Sequence, residues 1–283
     1  MTGTPEPPDC VVCGGTVAPD GHCWDCGEPQ PAYRSHIETT LATVAAGVSD
    51  RGKRRSVNAD AMALTATGAW TIGVVCDGVS MSPRAERAAR VAADVGADRL
   101  RAGLREGTLP ETVLVDAAAR AGRAVSALAA SLDEAPACTY VAGIAGSEGI
   151  WCAWIGDSRA YWLPDDGTCM ALTEDDSGRH DALTAWLGAD AGEPLARVRS
   201  YRPPGPGRLL LCTDGLTRHL PEAEGLRAVL ARRRHSTPVG HSLLEDARVL
   251  IGYAMDAGGQ DNITALLIHV GDTDHRELPA SAP

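Results

Sequence analysis

Short apolar runs in adjacent groups, with helical stretches paired between the groups, constrain this fold more than any other feature of the sequence. "DAMALTAT" leads directly to "WTIGVVCDG", and "CTYVAGIAG" is followed by "IWCAWIGDS" and "RAYWL". "TLATVAAGVSD" precedes the first group, a short run at "CMALT" follows the second, and "RLLLCTDG" and "NITALLIHV" stand later. Each ends near Gly, Asp or Ser, as strands closed by turns do. Two helical stretches separate the early groups. The first is "RAERAARVAADVGADRLRAGL", with Ser82-Pro83 as cap and first-turn proline. The second follows a capping box of Thr108 and Glu111 and runs to about Leu132. Two more stretches, 222–234 and 241–256, come late, and the latter ends at Gly258-Gly259. A parallel sheet would need strand and helix to alternate singly. This order predicts an α/β chain of the α+β kind, with antiparallel sheets and helices segregated to their outer faces.

The length of 283 residues allows one large domain or two small ones. Hydrophobic residues make up 44% of the chain and none is Phe, so the core must rest on Leu, Val, Ala, Ile and the six Trp. A net charge of −11 argues against nonspecific binding to nucleic acid or to an anionic membrane. No apolar run is long enough to cross a membrane. "MTGTPEPPDC" lacks the basic and apolar regions of a secretory signal. These features lead to the expectation of a cytoplasmic protein whose nine Cys are reduced or metal-bound.

Four of those Cys fall together. Cys10, Cys13, Cys23 and Cys26 read as C-x2-C, nine residues, C-x2-C, each pair followed by Gly. Four thiolates so spaced can close a tetrahedron on Zn²⁺, and glycine permits the tight turn that aims backbone amides at sulfur. Two disulfides or a redox pair are the alternative, which a reducing compartment disfavours. His22 could replace a ligand, but four Cys suffice, so it is expected to be exposed. The expected layout is a zinc-ribbon-like module over 1–30, a proline-bearing linker over 31–40, a large domain over 41–272, and a flexible tail over 273–283.

Five acids share one setting. Asp60 in "SVNADAM", Asp77 in "VVCDGVS", Asp157 in "WIGDSRA", Asp214 in "LLCTDGL" and Asp261 in "GGQDNIT" each border an apolar run. Singly, each is an ordinary turn residue. Collectively, carboxylates gathered at strand ends persist only with cations between them. Hard oxygen ligands suit Mg²⁺ or Mn²⁺ rather than zinc.

In that order, "SDRGKRRSVNADA", "VVCDGVS", "GDSRAYW", "LTEDDS", "LLLCTDGLT" and "GGQDNIT" resemble the metal-dependent protein phosphatases, the type 2C serine/threonine phosphatases. The resemblance runs from about Leu41 to Val270. It implies a four-layer αββα sandwich, with two antiparallel sheets inside and metals at one end. It implies that Asp77 bridges two catalytic ions, with the Gly78 carbonyl on one of them, and that Asp60, Asp214 and Asp261 complete the ligand set. Asp157 matches a position that helps hold a third ion, and Asp50 and Asn58 match positions of more structural role. Arg55, in the spacing R-x-x-N, matches the arginine that grips substrate phosphate; Arg54 is its neighbour in the same basic run. The implied activity is hydrolysis of phospho-Ser/Thr in proteins by water activated between Mn²⁺ or Mg²⁺ ions. Partners would be phosphorylated proteins, an opposing Ser/Thr kinase pathway, and a protein docked by the zinc module.

The sequence departs from that pattern in four places. Ala59 stands where an acid is usual. The turn after Asp77 reads Gly78-Val79-Ser80-Met81-Ser82, without its usual glycines. Arg218 stands four residues after Asp214, where an acid is common, which leaves a third ion open. The segment after "LTEDDS" is short, which would leave the metal site more open. These changes motivate an alternative: a phosphatase-like regulatory or binding module with weak or no turnover.

Overall fold

The computed structural model describes residues 10–18, 21–28, 30, 34–179, 182–193, 195–234 and 242–271. The tail expected over 273–283 lies outside them, as do residues 1–9, 19–20 and 29 of the expected module and 31–33 of the expected linker.

Among the described residues, the strands form two sheets, antiparallel throughout. The first runs β1 (His36–Leu41), β2 (Ala45–Asp50), β11 (Ile263–Val270), β10 (Gly207–Cys212), β7 (Arg159–Pro164) and β8 (Met170–Ala171). The second runs β3 (Ala61–Thr67), β4 (Trp70–Cys76), β5 (Tyr140–Gly146), β6 (Gly149–Ile155) and β9 (Arg197–Tyr201). Helices α1 (Ala85–Arg105) and α2 (Pro110–Ser126) cover the second sheet. Helices α3 (Asp214–Thr217), α4 (Ala223–Arg234) and α5 (Leu243–Asp256) cover the first. Helix, sheet, sheet, helix is the expected αββα order.

Both faces of the central strands are buried, so these strands read as unbroken apolar runs rather than alternating ones. In β10, Leu209 and Leu211 face the other sheet, while Leu210 and Cys212 face the helices. In β11, Leu266 and Ile268 point inward, while Ala265 and Leu267 meet α5 and its neighbours. The sheets come close enough that a Cβ on Gly73 would lie 2.7 Å from Leu266 Cδ2, and one on Gly143 2.8 Å from Leu209 Cδ2. Helix α1 meets its sheet through small residues, including Ala88, Ala89, Ala92 and Ala93, all fully buried. The five Cys outside the N-terminal group are buried too, as small apolar residues. No helix among the described residues is long and apolar enough to cross a membrane.

Several expectations need correction. "TLATVAAGVSD" is a hairpin rather than one strand, and β1 begins at His36, inside the stretch read as linker. β9 went unread because "RVRSY" places arginines along an edge strand with only partly buried side chains. Ser82 does not cap α1. Its hydroxyl donates to the Val79 carbonyl and accepts the Ala137 amide, bracing the turn after Asp77, and Arg84 enters the helix in the left-handed region at φ 53°. The capping box at α2 does not form. Pro110 opens that helix, Glu111 accepts instead from Trp151 Nε1 at 2.7 Å, and the helix stops at Ser126.

Leu266 is fully buried between the sheets. Leu266→Ala is expected to cost about 2–5 kcal/mol of stability by the cavity it opens, read as a lower urea midpoint with unchanged slope.

Candidate metal centre and thiol cluster

Antiparallel pairing decides where the acids go. Ala61 faces Cys76 in the β3–β4 register, so Asp60 and Asp77 share one end of the second sheet. Ile263 faces Asp50, and Cys212 faces Ala265, so Asp261 and Asp214 lie at the matching end of the first. Tyr140 faces Ile155, and the Thr139 amide donates to the Asp77 carbonyl at 2.8 Å, which brings the turn holding Asp157 to that end as well.

Asp60 joins the two sheets. It is 4% exposed, and its Oδ2 accepts from Thr213 Oγ1 at 2.8 Å and Thr264 Oγ1 at 2.7 Å, both on the opposite sheet. Thr264 Oγ1 also lies 2.8 Å from Ser49 Oγ, which accepts from Asn58 Nδ2 at 2.9 Å. Asp60 Oδ1 is buried without a hydrogen-bond partner. Asn262 holds the loop before Asp60: its Oδ1 accepts the Ala59 amide at 2.8 Å, and its Nδ2 donates to the Arg51 and Val57 carbonyls at 2.8 and 2.9 Å. Asp50 receives the Gly52 amide at 2.8 Å and pairs with His36 at 2.7 Å.

Asp77 is half-buried. Its amide donates to Thr139 Oγ1 at 3.0 Å, and that oxygen lies 2.7 Å from Ser158 Oγ beside Asp157. Gly78 is required by space, since a Cβ there would meet backbone of Ala59 and Ala85 at 2.8 Å. Arg55 reaches across to Asp261, with Nε on Oδ1 and Nη2 on Oδ2, each at 2.6 Å. Arg218 grips Asp214 from one turn away, with Nε 3.0 Å from Oδ2 and Nη2 on the same oxygen, and Nη2 lies 3.7 Å from Asp261 Oδ2. Asp214 Oδ1, like Asp60 Oδ1, is buried without a partner. The "LTEDDS" stretch is pinned beside Asp157: Asp176 receives the Gly156 amide and donates its own amide to the Gly156 carbonyl, each at 3.0 Å.

These groups perturb one another as crowded carboxylates should. Burial pushes Asp60 up to about 8 against its threonine hydrogen bonds, with Asp214 and Asp261 adding to the rise. Burial, then the charges of Asp60, Asp214, Asp157 and Asp261, pushes Asp77 well above the usual carboxylate range. Burial, then Asp214 and Asp175, lifts Asp157 to about 6. Oxygen donors with two unpartnered buried carboxylate oxygens could hold hard divalent cations. No three of the five aspartates bring carboxylate oxygens within 4.8 Å of one another, and Arg55 holds Asp261 while Arg218 holds Asp214. Among the described residues, the only metal-type group with all ligand atoms within 4.8 Å of one another is Cys10, Cys13, Cys23 and Cys26.

That thiol group is built from two matching knuckles. The Val12 amide lies 3.4 Å from Cys10 Sγ, and the Asp25 amide 3.4 Å from Cys23 Sγ. Gly14 and Gly27 follow at φ 72° and 76° with open space around each, so conformation rather than crowding selects glycine there. The Cys13 backbone holds the Cys10 thiol down to about 6, and Gln30 Nε2 donates to Cys10 Sγ at 3.2 Å. His22 is not exposed as expected: it is half-buried, with Nε2 3.0 Å from Glu86 Oε1 on α1, and it takes no place among the sulfurs.

The sequence model for the family Protein phosphatase 2C matches residues 49–244. The chain belongs to the protein phosphatase 2C family. The serine/threonine phosphatase stp of Listeria innocua is 35% identical over 148 residues, which are 46% of this chain and 55% of that protein. The serine/threonine protein phosphatase PstP of Mycobacterium tuberculosis is 30% identical over 185 residues, 57% of this chain and 33% of that one. The chain thus spans about half the length of the first relative and a third of the second. A crystal structure of the PstP catalytic domain in complex with two manganese ions has the same fold. Its TM-score is 0.62 at 23% identity, covering 83% of this chain and 99% of that one.

Sequence reasoning missed the polar groups that seat the family's acids here. Thr213, Thr264 and Asn262 lie inside the quoted motifs, but a hydroxyl or amide close to an acid gives no sign that it reaches across to another element.

Asp60 and Asp157 sit above their ordinary value of 3.8, so the folded chain binds protons more tightly than the unfolded one. In chelator, stability is expected to fall as pH rises from about 4 to about 8, seen as a falling melting temperature. Asp60→Asn should flatten part of that slope, and the raised Asp77 and Asp157 should keep the remainder.

Proposed function

We propose that this member of the protein phosphatase 2C family is a metal-dependent serine/threonine protein phosphatase. One observation carries the reading: Asp60, Asp77, Asp214 and Asp261 come from both sheets to one end, with buried carboxylate oxygens of Asp60 and Asp214 left without protein partners. Asp60, Asp77, Asp214, Asp261 and the Gly78 carbonyl would hold two Mn²⁺ or Mg²⁺ ions, with Asp157 beside them under the charge of Arg218. When bound, such ions supply Lewis-acid activation of water and neutralise phosphoryl oxygens. The chain's own residues do the rest. Thr213 and Thr264 fix one oxygen of Asp60 and leave the other without a protein partner. Thr139 holds the Asp77 backbone in place. Arg55 is turned to the cluster and still has Nη1 for a substrate phosphoryl oxygen, where a guanidinium forms charge-assisted hydrogen bonds. Phosphorylated Ser/Thr proteins are the substrates this predicts, opposed to a kinase in a bacterial signalling pathway.

The thiol cluster is proposed as a structural Zn²⁺ site. Four thiolates leave no open position for catalysis, and a segment this short has little core of its own. Its knuckles expose Val11, Val12 and Trp24, which supports docking of a protein partner. The nine free thiols support a cytoplasmic setting.

A second reading has one observation in its favour. Arg218 holds Asp214, which fits a phosphatase-like binding module with little turnover. Hydrolysis of a phosphoserine peptide with and without Mn²⁺ separates the two: Mn²⁺-dependent release of phosphate is expected, and a folded protein inert at every Mn²⁺ concentration would favour the binding module. Asp77→Asn and Asp261→Asn should each lower turnover about a hundredfold or more, with circular dichroism unchanged. A zinc-selective chelator should speed hydrogen exchange over residues 10–26 and leave phosphate release running; unchanged exchange there would rule out the zinc assignment.

A further inference from the structure

Arg218 is the residue of this site with the least ordinary surroundings. It follows α3, and its amide donates to the Asp214 carbonyl at 2.9 Å, so the backbone turn places it one helical turn from that acid. The side chain folds straight back, and both Nε and Nη2 meet the single oxygen Asp214 Oδ2. Nη2 also lies 3.7 Å from Asp261 Oδ2, the oxygen that Arg55 already holds from its other side. Burial works against the charge of Arg218, but Asp214, Asp261 and Asp77 together outweigh it. Asp157 feels the same guanidinium as a stabilising charge. About half of the side chain stays in contact with water, so the guanidinium keeps part of its hydration in the pair.

A cation tethered in this way bears on any mobile cation that uses the same carboxylates. It occupies lone pairs on Asp214 Oδ2, and it repels a second positive charge a few ångströms away. An opposite charge within about 4–6 Å shifts a carboxylate's equilibrium by about 1–3 pKa units, or 10- to 1000-fold, and a cation competing for that carboxylate meets an effect of the same order. An arginine cannot lose its proton to make room.

Building on the metal-centre reading above, we propose that Arg218 is a built-in counter-ion that competes with divalent cations for Asp214 and for the Asp157 side of the site, and so keeps the chain from holding a further ion there. Arg218 is then a positioning residue for the acids. The charge is what matters in this role, so Lys should preserve it, while Met and Gln, of similar length, should not.

The test is calorimetric titration of Mn²⁺ into the full chain after dialysis to remove loosely held ions, for wild type, Arg218→Met, Arg218→Gln and Arg218→Lys, with folding checked by thermal melts. Met and Gln variants are expected to bind Mn²⁺ about tenfold more tightly at the weakest site, or to gain one site. The Lys variant should match wild type, and adding Asp157→Asn to Arg218→Met should remove the gain. Equal stoichiometry and affinity in wild type, Met and Gln variants would overturn the inference while leaving the metal centre standing. So would a loss of phosphate affinity in Arg218→Met with Mn²⁺ binding unchanged, which would make Arg218 a substrate contact instead. Absence of Mn²⁺ binding by the wild type and every variant would bring down the metal-centre reading and this inference with it.

Discussion

Repulsion among carboxylates gathered at one end of two sheets is the constraint around which this structure is arranged. Every aspartate there raises the cost of ionising its neighbours. The fold answers with a separate restraint for each. Two threonine hydroxyls hold Asp60, a bidentate arginine holds Asp261, a second arginine holds Asp214, and backbone bonds hold the strand end that carries Asp77. None of these restraints would keep its geometry on a soft scaffold. The leucine and isoleucine layer between the sheets and the alanine seam under α1 supply the rigidity.

The two candidate metal sites divide by chemistry as well as by position. One offers oxygen atoms on rigid strand ends, the other sulfur atoms on two small turns. Hard and soft ligands sort cations without any contact between the sites. The segment that carries the thiols nonetheless touches α1, through His22 against Glu86.

Much of this was legible in the sequence because the strands bury both faces. "VVC" runs straight into Asp-Gly and "LLLC" reaches it after one Thr, and an apolar run ending in an acid marks where a strand leaves the core. Adjacent grouping of strands led to antiparallel sheets, and the order of six short motifs led to the αββα sandwich. What could not be read depended on tertiary partners. Thr108 and Glu111 have the spacing of a cap, but Trp151 takes the glutamate. Ser82 has the type of a cap, but Ala137 takes its hydroxyl. β9 has no apolar face worth the name, and only its place beside β6 makes it a strand. Arg218 was visible as an exception, but its grip on Asp214 depends on the turn between them. His22 looked surplus and is in fact wedged against a helix.

The place of β11 matters for how the molecule comes into being. This strand, near the end of the chain, is inserted between β2 and β10, and it brings Asp261, Asn262 and Thr264. While a ribosome is still extending the chain, Asp60 and Asp77 can already lie side by side, yet the loop before Asp60 has no Asn262 to clasp it. A nascent chain therefore carries an unfinished acid cluster until β11 has emerged and paired between β2 and β10.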